Sequence, residues 1–356
     1  MLNIRLEEMG ESYYNSMIPG VIDELRGLGL VTEDAGMDIV KLPHFTIPLI
    51  VRKSDGGYGY DSTDMAALKY RLFTLQRDWI IVITDAGQAN HFHMCFDTAR
   101  AANWLTKNQR LDHIGFGVVC GDDGKRFKTR SSETVRLIDL LNEAKARMQE
   151  SLVQRQQQNA DIAAAAAAAE DSAGATKKVK NVIPPEEIEQ AASKIGYGAV
   201  KYFDLKQHPE TNYIFSYDHM LNTKGDTAVY LLFAYARLAS ILRKAADEKN
   251  IHLQTFASQA EQILTLNAPE ERALAFELLQ FGDVIVTVLQ DLLPNRLCDY
   301  IKELSIKFTE FVTKCQVLNN EDTSITQSRL LLCEATRRTM QQCFSLLGIE
   351  PCERIQ

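Results

Sequence analysis

Apolar and polar positions change rhythm twice along this chain. Over residues 1–150, segments with helical spacing alternate with short runs rich in β-branched residues, the pattern of an α/β layer architecture. Trp79-Ile80-Ile81-Val82-Ile83-Thr84 is a continuous apolar run and predicts a parallel strand buried on both faces. The run His113-Ile114-Gly115-Phe116-Gly117-Val118-Val119 predicts a second buried strand, whose two glycines would let a flat ligand approach the backbone. The rhythm then breaks over 151–183, where a glutamine-rich stretch, seven consecutive alanines at 163–169 and a Gly, Ser and Lys tail form a low-complexity insert. Such a segment buries no core by itself, so an exposed helix or disorder is expected there.

Pro184-Pro185-Glu186-Glu187 restarts order, because proline suits a first helical turn and acidic residues favour its dipole. From about residue 216 every segment carries helical periodicity, over 228–245, 270–289, 296–315 and 328–347. Gly348 and Pro351 then stop the last helix. The expected fold class is α/β followed by all-α. Its expected divisions are an α/β domain over 1–150, the insert over 151–183, a helical connector over 184–215 and a helical domain over 216–356.

With 356 residues, 46% hydrophobic and 24% charged, the chain is long enough for two or three cores and has the balance of a globular protein. A net charge of −8 gives no global basic field, so any nucleic-acid contact must rest on a local patch. Seven widely spaced cysteines contain no Cys-x-x-Cys pair, which points to a reducing compartment rather than to zinc. With no leader-like N-terminus and no apolar stretch near the roughly 18 residues of a membrane span, a cytoplasmic protein is expected.

Three motifs carry candidate chemistry. Tyr60 and Asp64 follow a glycine-rich turn, and at helical spacing a phenol and a carboxylate would share one face, a fork suited to a guanidinium. Gly124-Lys125-Arg126-Phe127-Lys128-Thr129-Arg130-Ser131 is a basic loop of the kind that clamps phosphates during pyrophosphate departure. Tyr230, Phe233 and Tyr235 lie on a helix beside Arg237, where aromatic faces can stack unpaired bases, although at least one of the three must be core. Gln88 and His91 follow the first strand, where ligands of open α/β sheets bind. The seven histidines form no recognised metal motif, and neither a dinucleotide fingerprint nor a Walker loop occurs.

Taken together and in this order, the motifs resemble class I arginyl-tRNA synthetases of the eukaryotic cytosolic type. The resemblance runs through SDGGYGYDSTDMAALKYRL, DAGQANHFHMCF, HIGFGVVCGDDGKRFKTRSSETVRLIDLL, GYGAVKYFDLK, YIFSYDHML, GDTAVYLLFAYARL and LLGIEPCERI, covering nearly all the chain outside the insert. It implies the second half of a class I Rossmann-type catalytic domain followed by a DALR-type helical anticodon-binding domain. The implied activity is ATP-dependent activation of arginine and its transfer to tRNA(Arg), with magnesium accompanying ATP, no prosthetic group, no DNA and no membrane.

On this resemblance Tyr60, Asp64 and Gln88 bind arginine, while His113, Gly115, Phe116, Val118, Phe127 and Lys128 bind ATP. Lys128 and Arg130 act catalytically in a divergent form of the Lys-Met-Ser-Lys-Ser loop. Tyr230, Phe233 and Arg237 meet the tRNA. No His-x-Gly-His-type signature occurs, so the chain is expected to be a C-terminal part that is inactive alone. The other reading is a non-catalytic tRNA-binding protein derived from such a synthetase.

Overall fold

The computed structural model describes residues 4–121, 123–126, 136–169, 184–318 and 322–355. Two compact units are present, one formed by Asn3–Val118 with Pro209–Asn212, the other by Val119–His208 with Tyr213–Gln356.

In the first unit, helix α1 (Ile18–Gly27) precedes three four-residue strands, β1 (Val31–Asp34), β2 (Met37–Val40) and β3 (Leu49–Arg52), paired antiparallel in that order. Ala35 and Gly36 between β1 and β2 both have positive φ, 50° and 78°, the backbone a two-residue hairpin turn requires. Helix α2 (Tyr60–Lys69), strand β4 (Trp79–Asp85), helix α3 (Ala89–Ala101) and strand β5 (Arg110–Phe116) follow. β4 and β5 pair in parallel from Trp79 opposite Arg110 to Asp85 opposite Phe116, with α3 as the crossover that parallel pairing demands. The core of this unit joins Ile18, Leu25, Leu49, Met65, Leu68, Cys95 and Phe96.

Strand β4 falls where the apolar run predicts it, but it is not buried on both faces. Ile80 is 6% exposed, whereas Ile81 and Ile83 are 39% and 63% exposed. Successive side chains of a strand point to opposite faces. Helix α3 packs on β4 and β5, and among the described residues β4 pairs only with β5.

The glycines of the second strand also differ from expectation. A Cβ on Gly115 would lie 2.8 Å from the Ala86 Cα, and one on Gly117 would lie 2.6 Å from the Thr211 carbonyl oxygen. The space is therefore taken by the chain's own backbone rather than left open for a flat ligand. Gly117 also donates its N–H to the Pro209 carbonyl at 2.8 Å, which ties 209–212 to the end of β5. Gly117→Ala should consequently cost about 1–3 kcal/mol of stability, because backbone oxygens cannot move aside as a flexible side chain can. Urea unfolding followed by tryptophan fluorescence measures this, since Trp79 and Trp104 both lie in this unit.

The second unit begins with strand β6 (Val119–Cys120) and the helices α4 (Leu137–Ala169) and α5 (Pro185–Leu205). Strand β7 (Tyr213–Ile214) pairs in parallel with β6, and the short helix α6 (Tyr217–Met220) follows. The remainder is helical: α7 (Ala228–Lys249), α8 (Ala260–Ile263), α9 (Pro269–Leu279), α10 (Phe281–Asp291), α11 (Asn295–Lys314) and α12 (Thr323–Leu346). Helix α4 runs on into the alanine segment, and 170–183 lie outside the described residues. Its first half buries Ala144, Met148 and Leu152 in one core with Ala192, Ile195 and Ala199 of α5. Pro185 opens α5 in its first turn, followed by Glu186 and Glu187, as the sequence predicts.

The segment expected as one helix over 270–289 is two, α9 and α10, separated at Gln280. By composition Pro269–Asp291 is long and apolar enough to cross a membrane, with mean hydropathy 1.5, which corrects the expectation that no apolar stretch comes near the length of a span. Each of the two helices has 11 residues, well short of the roughly 20 a spanning helix needs. Phe281, Val284, Ile285 and Val288 pack against the unit's core. Gly348 terminates the last helical region with φ 66°, and the Lys201 ammonium donates to its carbonyl. All seven cysteines are free thiols, and six of them are buried.

Candidate functional site

Helix α2 is stitched to strand β3 through its first turn. The loop between them closes on itself, with Lys53 N–H donating to the Gly57 carbonyl and Gly56 N–H to the Lys53 carbonyl, each at 2.9 Å. Ser62 Oγ then donates to the Val51 carbonyl at 2.9 Å and accepts the Gly59 N–H at 3.1 Å. Asp61 Oδ2 accepts the Ile50 N–H at 2.6 Å. A buried serine thus satisfies the Gly59 N–H at the helix start, and with a partly buried aspartate it ties that turn to the Val51 carbonyl and Ile50 N–H of β3. These bonds fix the direction in which the next turn presents its side chains.

Tyr60 and Asp64 lie one helical turn apart on α2. Tyr60 is 73% exposed, and Asp64 is part-buried. The imidazole of His91, on the first turn of α3, donates through Nε2 to Asp64 Oδ2 at 2.7 Å and faces Asp61 Oδ1 through Nδ1 at 3.1 Å. Burial of His91 works against its charge, but the bonds to Asp61 and Asp64 outweigh that penalty and its pKa is pushed up to about 12. Gln88 is exposed at the end of the turn Ala86–Gln88, which Asp85 caps by accepting the Gly87 N–H at 2.8 Å. Asp61 and His91 therefore belong to the cluster around Asp64. Sequence reasoning gave Asp61 no role and held His91 only by its position after a strand.

On β5, His113 stacks on Phe92 with ring centroids 5.3 Å apart and meets Thr84 Oγ1 at 2.8 Å through Nε2. Burial first, and then the neighbouring His93, push its pKa down, which favours a neutral ring. Phe116 is 48% exposed at the strand's end, and the Val118 N–H donates to Asn212 Oδ1 at 2.6 Å. In the second unit the basic loop begins as a tight turn, with Gly124 at φ 70° and the Gly121 N–H donating to the Lys125 carbonyl at 2.8 Å. Lys125 and Arg126 are exposed there; Phe127, Lys128, Thr129, Arg130 and Ser131 lie outside the described residues. Among the described residues no group of His, Cys, Asp and Glu could hold a metal ion.

Helix α7 sorts its aromatics by face. Tyr235 is buried, edge-on to Phe344 at 5.8 Å, and is the core member of the three. Tyr230, Phe233 and Arg237, at i, i+3 and i+7, line a cavity of about 600 Å³ with Arg243, Lys244 and Arg354. Tyr230 is half-buried, its hydroxyl 3.5 Å from Thr309 Oγ1. The Arg155 guanidinium, from α4, lies 5.0 Å from the Phe233 ring centroid and covers one of its faces. The turn from aromatic to basic residues along one helix face is a signal readable in the sequence beyond Arg237.

The family model for class I tRNA synthetases (R), catalytic domain, matches residues 1–177, and that for the DALR anticodon binding domain matches 231–355. The chain is 46% identical over 99% of its length to the Arabidopsis thaliana protein named arginine–tRNA ligase, chloroplastic/mitochondrial, covering 51% of that relative. It belongs to the arginyl-tRNA synthetase family. The cytoplasmic arginine–tRNA ligase of the same plant is equally similar, 46% identical over 99% of this chain and 55% of its own length. The likeness is therefore as strong to an organellar relative as to a cytoplasmic one. The crystal structure of arginyl-tRNA synthetase from Plasmodium falciparum superposes with a TM-score of 0.81 at 36% identity, over 99% of this chain and 55% of that one. The chain thus spans about half the length of the relatives it matches, and within the synthetase family its fold is class I catalytic followed by a helical DALR region.

Proposed function

We propose that this chain supplies the arginine-reading face and the tRNA-binding helices of an arginine–tRNA ligase of the cytoplasm. That enzyme activates arginine with ATP and magnesium as arginyl-adenylate and transfers the arginyl group to tRNA(Arg). The observation that carries this reading is the face of α2, where an exposed phenol and a carboxylate with one oxygen anchored stand one turn apart. A planar guanidinium needs a carboxylate held in a fixed plane and an aromatic or polar neighbour, which this pair provides.

In this reading Tyr60 and Asp64 take the guanidinium and Gln88 holds the amino acid. The β5 segment with His113, Gly115, Phe116 and Val118 borders the nucleotide, and Phe127, Lys128 and Arg130 serve its phosphates, with Lys128 and Arg130 stabilising charge on departing pyrophosphate. Tyr230, Phe233 and Arg237 receive the anticodon loop, supported by the basic lining of their cavity. The buried free thiols support a reducing compartment.

The test is aminoacylation by the full-length natural protein. Arginine should be joined to tRNA only with ATP present, and lysine or citrulline should not replace it. Charging of another amino acid, or none, would refute the reading.

A further inference from the structure

Two carboxylates and one histidine meet between α2 and α3. His91 has Nε2 2.7 Å from Asp64 Oδ2 and Nδ1 3.1 Å from Asp61 Oδ1. A carboxylate only accepts, so Nε2 donates to Asp64 Oδ2, and Nδ1 stands within ion-pair distance of Asp61 Oδ1; two carboxylates facing one ring favour the imidazolium. Asp61 has its other oxygen tied to the Ile50 N–H at 2.6 Å, so it cannot turn away. Asp64 has Oδ2 on His91, while its Oδ1 takes no hydrogen bond from the described residues.

We propose that His91 is a positioning residue that bridges Asp61 and Asp64, fixes the Asp64 carboxylate for a guanidinium, and leaves the cluster one net negative charge. The proposal rests on the reading of Asp64 as the guanidinium's partner. Its chemistry is one of matching. Two unbridged carboxylates side by side repel and compete for a proton, whereas a bridged pair offers one charge to one cation in one orientation.

The ionisable groups facing His91 are Asp61 and Asp64 from α2, Cys95 on its own helix with Sγ 3.8 Å from Nε2, and His113 from β5. Cys95 is held as a thiol by burial, and burial also favours the neutral form of His113, so neither competes as a second cation or anion. The edge of the Phe92 ring closes the cluster at 4.8 Å between centroids.

The experiment has a direct and a kinetic arm. In this chain, the ring nitrogens of His91 followed by NMR should show an imidazolium unchanged between pH 6 and 9; a midpoint near 6.5 would overturn the proposal. The sign of the linkage gives an independent readout. A folded pKa above the unfolded value contributes stability that is full below about pH 6.5 and lost as pH climbs toward the folded value. Urea unfolding free energy should therefore fall from pH 7 to 9 more steeply than in His91→Gln, and equal slopes would count against the bridge.

In the full-length natural protein, His91→Gln should raise the KM for arginine about tenfold with kcat changed less than about threefold, since a charge-assisted contact is loosened while the reacting atoms are untouched. The parent's arginine KM should be flat between pH 6 and 8, because the ring stays charged across that range. Should Asp64→Asn damage arginine use while His91→Gln leaves KM unchanged, the positioning role is refuted. Should neither variant affect arginine use, the reading of Asp64 itself fails, and the NMR arm still decides the charge of the ring.

Discussion

Asp64→Asn in the full-length natural protein is expected to raise the KM for arginine about tenfold to a hundredfold, the loss of a charge-assisted hydrogen bond of roughly 1.5–3 kcal/mol. The affinity for tRNA should stay within about twofold, because Asp64 belongs to the first unit and the aromatic groove to the second. Asparagine preserves shape and one acceptor, so the helix should keep its bonds to β3, which run through Asp61 and Ser62 rather than through Asp64. Steady-state charging assays with arginine varied, alongside filter binding of tRNA, separate the two effects. Equal damage to both would indicate a folding defect rather than a lost guanidinium contact.

Tyr230→Ala is expected to weaken tRNA binding by about 1–3 kcal/mol, the range for removing an aromatic platform from a stacked base. Tyr230→Phe is its control. The tyrosine hydroxyl has only a long 3.5 Å contact with Thr309, so phenylalanine keeps the ring and forfeits little. Phe233 differs from Tyr230, because Arg155 already covers one face of its ring and a base could reach only the other. Arg237, Arg243, Lys244 and Arg354 line the same cavity, so binding should weaken as salt rises and Arg237→Ala should shallow that dependence by about one unit of slope. A folded Tyr230→Ala chain with undiminished binding at several salt concentrations would contradict the assignment.

Long periodic segments were legible in the sequence because one residue's neighbours along the chain determine their pattern. The apolar run at Trp79 and the helices from Ala228 onward are of this kind, as are the start signal at Pro185 and the stop signal at Gly348. The strands Val31–Asp34, Met37–Val40 and Leu49–Arg52 were not, since four residues carry too little alternation to separate strand from loop. The break at Gln280 was hidden for the opposite reason, as an apolar pattern continues across it while the backbone does not.

Side-chain burial needs knowledge of what covers each face. Ile81 and Ile83 have the composition of a twice-covered strand, yet they stand exposed. The glycines at 115 and 117 show the same limit, because Ala86 and Thr211 approach them from elsewhere in the chain. The spacing of Tyr60 and Asp64 was readable because both are on one helix. The bond from His91 to Asp64 was not, since it joins residues 27 positions apart on two helices that pack only in the folded chain. Arg155 over Phe233 joins helices in the same way, at a separation no local pattern reports.

The most direct measurement is the proton spectrum of ¹⁵N-labelled arginine bound to the full-length natural protein. A guanidinium held by the Asp64 carboxylate should show Nη protons shifted downfield from free arginine, with the shift lost in Asp64→Asn even at saturating arginine. An identical downfield shift in parent and variant would place the guanidinium elsewhere and contradict the account.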